Sequence, residues 1–215
     1  MSNESTNPVL KQILIAVSGV TILGAVLFVL LAIYIQDDYR VTRKLRARGF
    51  YVLYNWRNAM PWQSPTNIKI FDLRITPDDC RLICQLPRLQ VLSFVRCDMS
   101  DLNLDEIGNC PELTHFMCRD MTPFPIDEMR KLVVCPIRYT QLSNVGLKDS
   151  DIENFAGLTQ LRTIILDDNV GITDISFEYF EKIATLKRLS LSKTSVTKDG
   201  VEEFNKKRPD VEVKF

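Results

Sequence analysis

From Trp62 onward, apolar positions recur with a period of 24 residues. Units start at Trp62, Leu86, Cys110, Val134, Leu158 and Ile183. Six and eight residues into each stand the pairs Ile68/Ile70, Leu92/Phe94, Phe116/Cys118, Thr140/Leu142, Ile164/Leu166 and Leu189/Leu191. Such an alternating pair, with Thr140 its one polar member, predicts a short strand buried on one face. Three residues in, Leu89, Leu113, Ile137, Leu161 and Leu186 form another apolar column, and eleven in come Leu73, Cys97, Met121, Val145, Asn169 and Thr194. The fifth unit keeps this register only with one inserted residue near Val170 and Gly171, before Ile172. Val213 and Phe215 occupy the strand columns of a seventh, partial unit.

Eighteen and 21 residues into the units lie Cys80/Ile83, Leu104/Ile107, Ile152/Phe155 and Val201/Phe204, and Phe177/Phe180 after the insertion is counted. A spacing of three places both residues on one face of a short helix or helical turn. The third unit departs, because Glu128 and Lys131 take those columns and Met129 and Leu132 follow one place later. Pro123-Phe124-Pro125 just before them predicts a shifted turn. One unit of this size cannot bury its own apolar face, so the units must stack, with parallel strands on one side, helices on the other and a continuous core between.

Where strands hand over to helices stand Ile75-Thr76-Pro77-Asp78, Met99-Ser100-Asp101, Ile172-Thr173-Asp174 and Thr194-Ser195-Val196-Thr197-Lys198-Asp199-Gly200. Ser or Thr ahead of an acidic first turn caps a helix N-terminus. These segments resemble bacterial leucine-rich repeats with a recurrent Thr-x-Val-Thr-Asp-x-Gly. The resemblance implies an α/β leucine-rich repeat solenoid, with parallel strands on the concave side and short helices on the convex side. For function it implies only a binding fold, since that architecture serves many tasks.

Ahead of the repeats, Ile13–Ile35 is a run of 23 residues without a charge, about 35 Å as a helix against a hydrocarbon core of about 30 Å. It predicts one transmembrane helix following a polar tail over 1–12. The run is too long for a cleaved signal peptide, and its basic residues follow it instead of preceding it. Lys11 flanks one end and Arg40, Arg43, Lys44, Arg46 and Arg48 the other, which by the positive-inside rule puts the repeats on the cytoplasmic side of the membrane. Thr21 and Ala25 form a small-xxx-small pair that would let two such helices approach, without setting an oligomeric state.

Asp38–Arg48 reads as a basic helix, Gly49 suits its end, and Phe50, Val52 and Tyr54 alternate as in a strand. Residues 36–61 are thus a juxtamembrane segment and N-terminal cap for a repeat domain over 62–215. The arrangement of basic helix, Gly and aromatic strand resembles anchored bacterial leucine-rich repeat proteins. The basic helix also has the composition to lie on anionic headgroups.

Lys plus Arg and Asp plus Glu each number 27, and this balance gives no argument for a nucleic-acid partner. Of the six cysteines, Cys80, Cys97, Cys110 and Cys118 fall in apolar columns and read as buried filler, as suits a reducing compartment. Cys80 and Cys84 lie four apart, yet no His or Cys pair completes a zinc set. His115, the lone histidine, has no nucleophile or paired base in a recognisable pattern, and eight glycines provide no phosphate-cradling loop. The expectation is a protein with no catalytic residues, metal or cofactor.

Residues five, seven and nine places into each unit point away from the core. Phe71, Val91, Val95, Met117, Tyr139 and Ile165 are the apolar ones among the first five units, with His115, Arg119 and Asp167 beside them and Arg96, Asp120 and Asp168 at the rim. Contiguous exposed apolar side chains mark interaction surfaces, so the six apolar residues together with His115, Arg119 and Asp167 are the candidate site for a protein or peptide partner. The alternative is an assembly subunit that acts through its transmembrane helix, with the repeats as a rigid spacer.

Overall fold

The computed structural model describes residues 24–27, 39–54, 65–101, 104–121 and 124–215. The chain divides into units Met1–Arg40 and Val41–Phe215. The tail 1–12 and the expected transmembrane run 13–35, apart from helical residues 24–27, lie outside the described residues. Among the described residues no helix is long and apolar enough to cross a membrane.

The larger unit carries one eight-stranded sheet in sequence order. Helical residues 41–47 form α1 and lead to β1 (Tyr51–Leu53), which pairs antiparallel with β2 (Asn67–Phe71). Parallel strands β3 (Val91–Val95), β4 (His115–Arg119), β5 (Tyr139–Ser143), β6 (Thr163–Ile165), β7 (Arg188–Ser190) and β8 (Glu212–Lys214) follow. The register steps from Ile68 to Leu92, Phe116, Thr140 and Ile164 by 24 residues, then to Leu189 by 25. The extra residue lies where the sequence requires it: Val170 projects at 76% exposure, while Asn169 and Ile172 on either side of the insertion are at 0%. All twelve strand-column residues from Ile68 to Leu191 are buried.

The return segments are α2 (Pro77–Ile83), α3 (Phe177–Phe180) and α4 (Lys198–Lys207), with 3-10 turns over Ile107–Asn109, Ile126–Val134, Asp149–Phe155 and Asp174–Ser176. A 3-10 turn rises about 2.0 Å per residue against about 1.5 Å for an α-helix, so it spans the return in fewer residues. In the third unit Met129 and Leu132 are the buried pair, as the proline-shifted register requires. Displaced Glu128 instead accepts from the Leu104 amide of the preceding unit at 3.0 Å.

Thr76 caps α2 in a reciprocal box with Asp79, and Thr173 and Thr197 accept from the Ile175 and Gly200 amides. The neighbouring unit holds two of these caps in place. Asp149 takes the Thr173 amide and hydroxyl, both at 2.7 Å, and Asp174 takes those of Thr197 at 2.8 and 2.7 Å. Ser100 is used differently, its amide donating to Asp98.

At the N-terminal end Val41, Leu45, Phe50 and Val52 are buried over the first repeat. Gly49 at φ 87° makes the turn between α1 and β1 that an L side chain would resist. Arg48 clamps Asp79 of α2 with contacts of 2.9 and 2.7 Å. Burial works against the Asp79 charge, but hydrogen bonds from Arg48 and Thr76 outweigh it and hold the carboxyl below its usual range. At the other end Val213 packs on the core, while Phe215 is 53% exposed.

Thr140 is the one polar strand-column residue, and its hydroxyl is buried without a hydrogen-bond partner. Thr140→Val keeps the shape and removes the unsatisfied group. It is expected to stabilise the fold by about 1 kcal/mol in chemical denaturation; a loss of stability would mean the hydroxyl is satisfied in solution.

Candidate interaction face

Side chains of alternate strand positions form rows across the face away from the helices. One row is Asn67, Val91, His115, Tyr139 and Thr163, the middle row is Lys69, Ser93, Met117, Gln141 and Ile165, and a third is Phe71, Val95, Arg119 and Ser143. Eight of the nine sequence-predicted residues therefore lie on this face, and Asp167, past the end of β6, joins it by accepting from the hydroxyl of Ser190, the residue paired with Ile165. Arg119 is exposed, and Phe71, Val91, Val95, His115, Met117, Tyr139, Ile165 and Asp167 are half-buried.

The rows gather these residues into two groups. Phe71 lies beside Val95, while Val91, His115 and Tyr139 are neighbours in another row. The His115 and Tyr139 rings stack with centroids 5.2 Å apart, and Thr114 Oγ1 lies 2.9 Å from His115 Nδ1. Burial lowers the His115 pKa and raises that of Tyr139, with the Asp167 charge adding to the latter. Both rings are accordingly neutral near pH 7. Ile165 stands apart from Met117 because Gln141 separates them, its amide donating to Ser143 at 3.1 Å.

Two residues of this face were not anticipated. Because β1 runs antiparallel with Val52 opposite Ile68, Tyr51 and Leu53 fall on the open side next to Lys69 and Asn67. Tyr51 is 61% exposed and packs edge-on against Phe71 at 5.3 Å. The available signal was the alternation of Phe50, Val52 and Tyr54, whose intervening residues must face the other way.

The rim charges are engaged with one another. Asp72, Arg96, Asp120, Asn144, Asp168 and Lys193 occupy one column, each at positive φ between 51° and 63°. Asp and Asn tolerate this conformation better than most residues. Each of the first five donates its amide to a carbonyl of the following unit. Their side chains pair in sequence: Arg96 with Asp72 at 2.7 Å, Asn144 with Asp120 at 3.1 Å, and Lys193 with Asp168 at 3.0 Å. Asp167 is also tied to the framework, accepting from the Ser190 hydroxyl and the Ser192 amide. Of the charged residues named from sequence, Arg119 has the freest access to a partner.

Two open depressions adjoin the face. One of about 500 Å³ is lined by Arg96, Asp98, Met99, Ser100, Asp120 and Met121, and another of about 360 Å³ lies near Ile165, Asp167, Arg188 and Glu212. Among the described residues no group of three or more His, Cys, Asp or Glu is placed to hold a metal ion. The six cysteines are free thiols, with Cys84 half-buried and the rest buried. Burial pushes Cys80 up to about 12 and Cys135 up to about 11.

With its in-register parallel strands and 24-residue step, the array has leucine-rich repeat architecture. No protein-family model matches the chain, and no curated protein matches it. Solved structures similar to it include a leucine-rich repeat protein of Leptospira interrogans, 18% identical with a TM-score of 0.43, covering 63% of this chain and 33% of that one. An internalin (inlF) from Listeria monocytogenes is 11% identical with a TM-score of 0.29, covering 62% and 56%. An internalin C2 (inlC2) from the same species is 14% identical with a TM-score of 0.37, covering 61% and 73%. This chain spans about a third of the length of the Leptospira protein. The fold assignment therefore rests on the strand register and core columns described above.

Proposed function

We propose that this chain is a membrane-anchored protein-interaction module whose open sheet face binds a protein or peptide. The observation carrying this reading is the series of apolar and aromatic side chains left on paired strands from Tyr51 to Ile165, outside the core that the same strands bury. The stacked His115–Tyr139 pair and Met117 of β4 form its centre, and Arg119 supplies a charge at the edge. Aromatic and Arg anchors of this kind dominate binding energy at protein interfaces. The uncharged run 13–35 is the anchor in this reading, and the basic residues after it put the repeat domain on the cytoplasmic side.

The test places photo-crosslinking residues at Lys69 and Gln141 on the open face and at Glu153 on the return side, in cells expressing the full chain. The reading expects one discrete crosslinked protein from the open-face positions only. In purified form, Met117→Asp with Tyr139→Asp should weaken that protein's binding at least about 30-fold while circular dichroism stays unchanged. Equal binding by the double variant would remove the open face from the function.

A further inference from the structure

We infer that the outer face of α1 docks on anionic lipid headgroups, holding the cap of the repeat unit against the membrane surface; the inference rests on the anchoring by run 13–35 proposed above. Val41, Thr42 and Leu45 turn inward, whereas Arg43, Lys44, Arg46 and Ala47 are exposed. From Tyr39 to Tyr54 the sequence has five basic residues, Arg40, Arg43, Lys44, Arg46 and Arg48, and no acidic one. Arg48 is committed to Asp79. Arg46 lies 6.0 Å from the Tyr54 ring centroid. Among the described residues, Arg43 and Lys44 have no acidic partner within ion-pair distance.

The return side of the repeats is built differently. There Arg74 pairs with Asp101, Arg81 with Glu106, Lys131 with Asp105 and Lys207 with Glu181, each across neighbouring units at 2.7 to 3.1 Å. These partners neutralise the return face from within the fold, whereas the cap keeps a cluster of one sign. The cluster begins five residues after an apolar run of membrane-spanning length, which selects lipid headgroups over a free polyanion as the complementary charge. At about 1 kcal/mol per basic residue near an anionic surface, Arg43, Lys44 and Arg46 together favour the docked cap on the order of 100-fold.

The full chain is reconstituted into nanodiscs of phosphatidylcholine, or of phosphatidylcholine with about 30% phosphatidylserine, a composition chosen to approach the anionic surfaces on which polybasic segments act. Acetylation of Lys44 by an amine-reactive ester is followed by mass spectrometry, with exposed Lys206 as internal control. The expected result is a Lys44 rate at least about tenfold lower in the anionic discs, recovered at high salt, with Lys206 unchanged. Arg43→Glu with Arg46→Glu should abolish the difference. Equal Lys44 rates in both discs, with the protein still co-eluting with them, would overturn the lipid contact and leave the anchor standing. Elution apart from both discs would overturn the anchor and the docking with it. Equal protection in neutral discs, or protection by a soluble oligonucleotide without discs, would also overturn the lipid assignment.

Discussion

Asn169→Leu is expected to cost about 4 kcal/mol of stability, because one side chain satisfies four buried backbone groups. Asn169 is fully buried. Its Oδ1 accepts from the Val145 and Leu147 amides, both at 3.1 Å, and its Nδ2 donates to the Leu142 and Leu166 carbonyls at 2.7 and 2.8 Å. Leucine fills similar space but strands those amides and carbonyls in the core. Cys97 is the matching residue of the second unit, its thiol lying 3.6 Å from the Ile70 carbonyl, 27 residues back as Leu142 is from Asn169. A thiol is a weak donor, so Cys97→Val should cost only about 1 kcal/mol. Chemical denaturation followed by circular dichroism measures both. The Asn169 variant should also lose cooperativity, since the broken ties join adjacent units of a chain whose stability depends on nearest neighbours. A cost near that of Cys97→Val would show that water replaces the side chain.

The columns that the sequence made legible are those in which a residue's environment depends on its own unit. Ile68, Leu92, Phe116 and Ile164 each recur with an apolar partner two residues on because one sheet face is buried, and that spacing is set within the unit. Val170 announced itself by displacing everything after it. The features that stayed hidden depend on neighbours a full period away. Arg96 looked like a rim charge available to a partner until Asp72 took it up, and Asp167 looked exposed until Ser190 and Ser192 were placed beside it. Reading down the column from Asp72 to Lys193 exposes the same pairing, because acidic residues alternate with Arg, Asn or Lys at a spacing of 24 or 25. Asn169 was legible only as a member of a mostly apolar column, since nothing within its own unit names the amides of the preceding one.

The same dependence across units makes two adjacent residues of the insertion respond in opposite ways. Gly171→Ala is expected to cost about 3 kcal/mol, whereas Val170→Ala should stay within about 0.5 kcal/mol. Val170 points into solvent, and its removal uncovers no core. At Gly171 a Cβ would lie 2.6 Å from the Leu147 carbonyl oxygen and 3.3 Å from Lys148 Cα. Gly171 and Lys148 form a bridge between the units, and the Leu147 amide is held by Asn169, so this backbone has little room to retreat. Gly171 is not among the residues at positive φ, which makes its requirement one of space rather than of backbone conformation. The lost stability therefore comes from forcing the fourth and fifth units apart, at the point where Asn169 holds them together. Hydrogen exchange on Gly171→Ala should show faster opening of the Val145 and Leu147 amides, while amides of β2 and β3 keep their protection. Uniform acceleration along the array would instead place the defect in global stability and not in this junction.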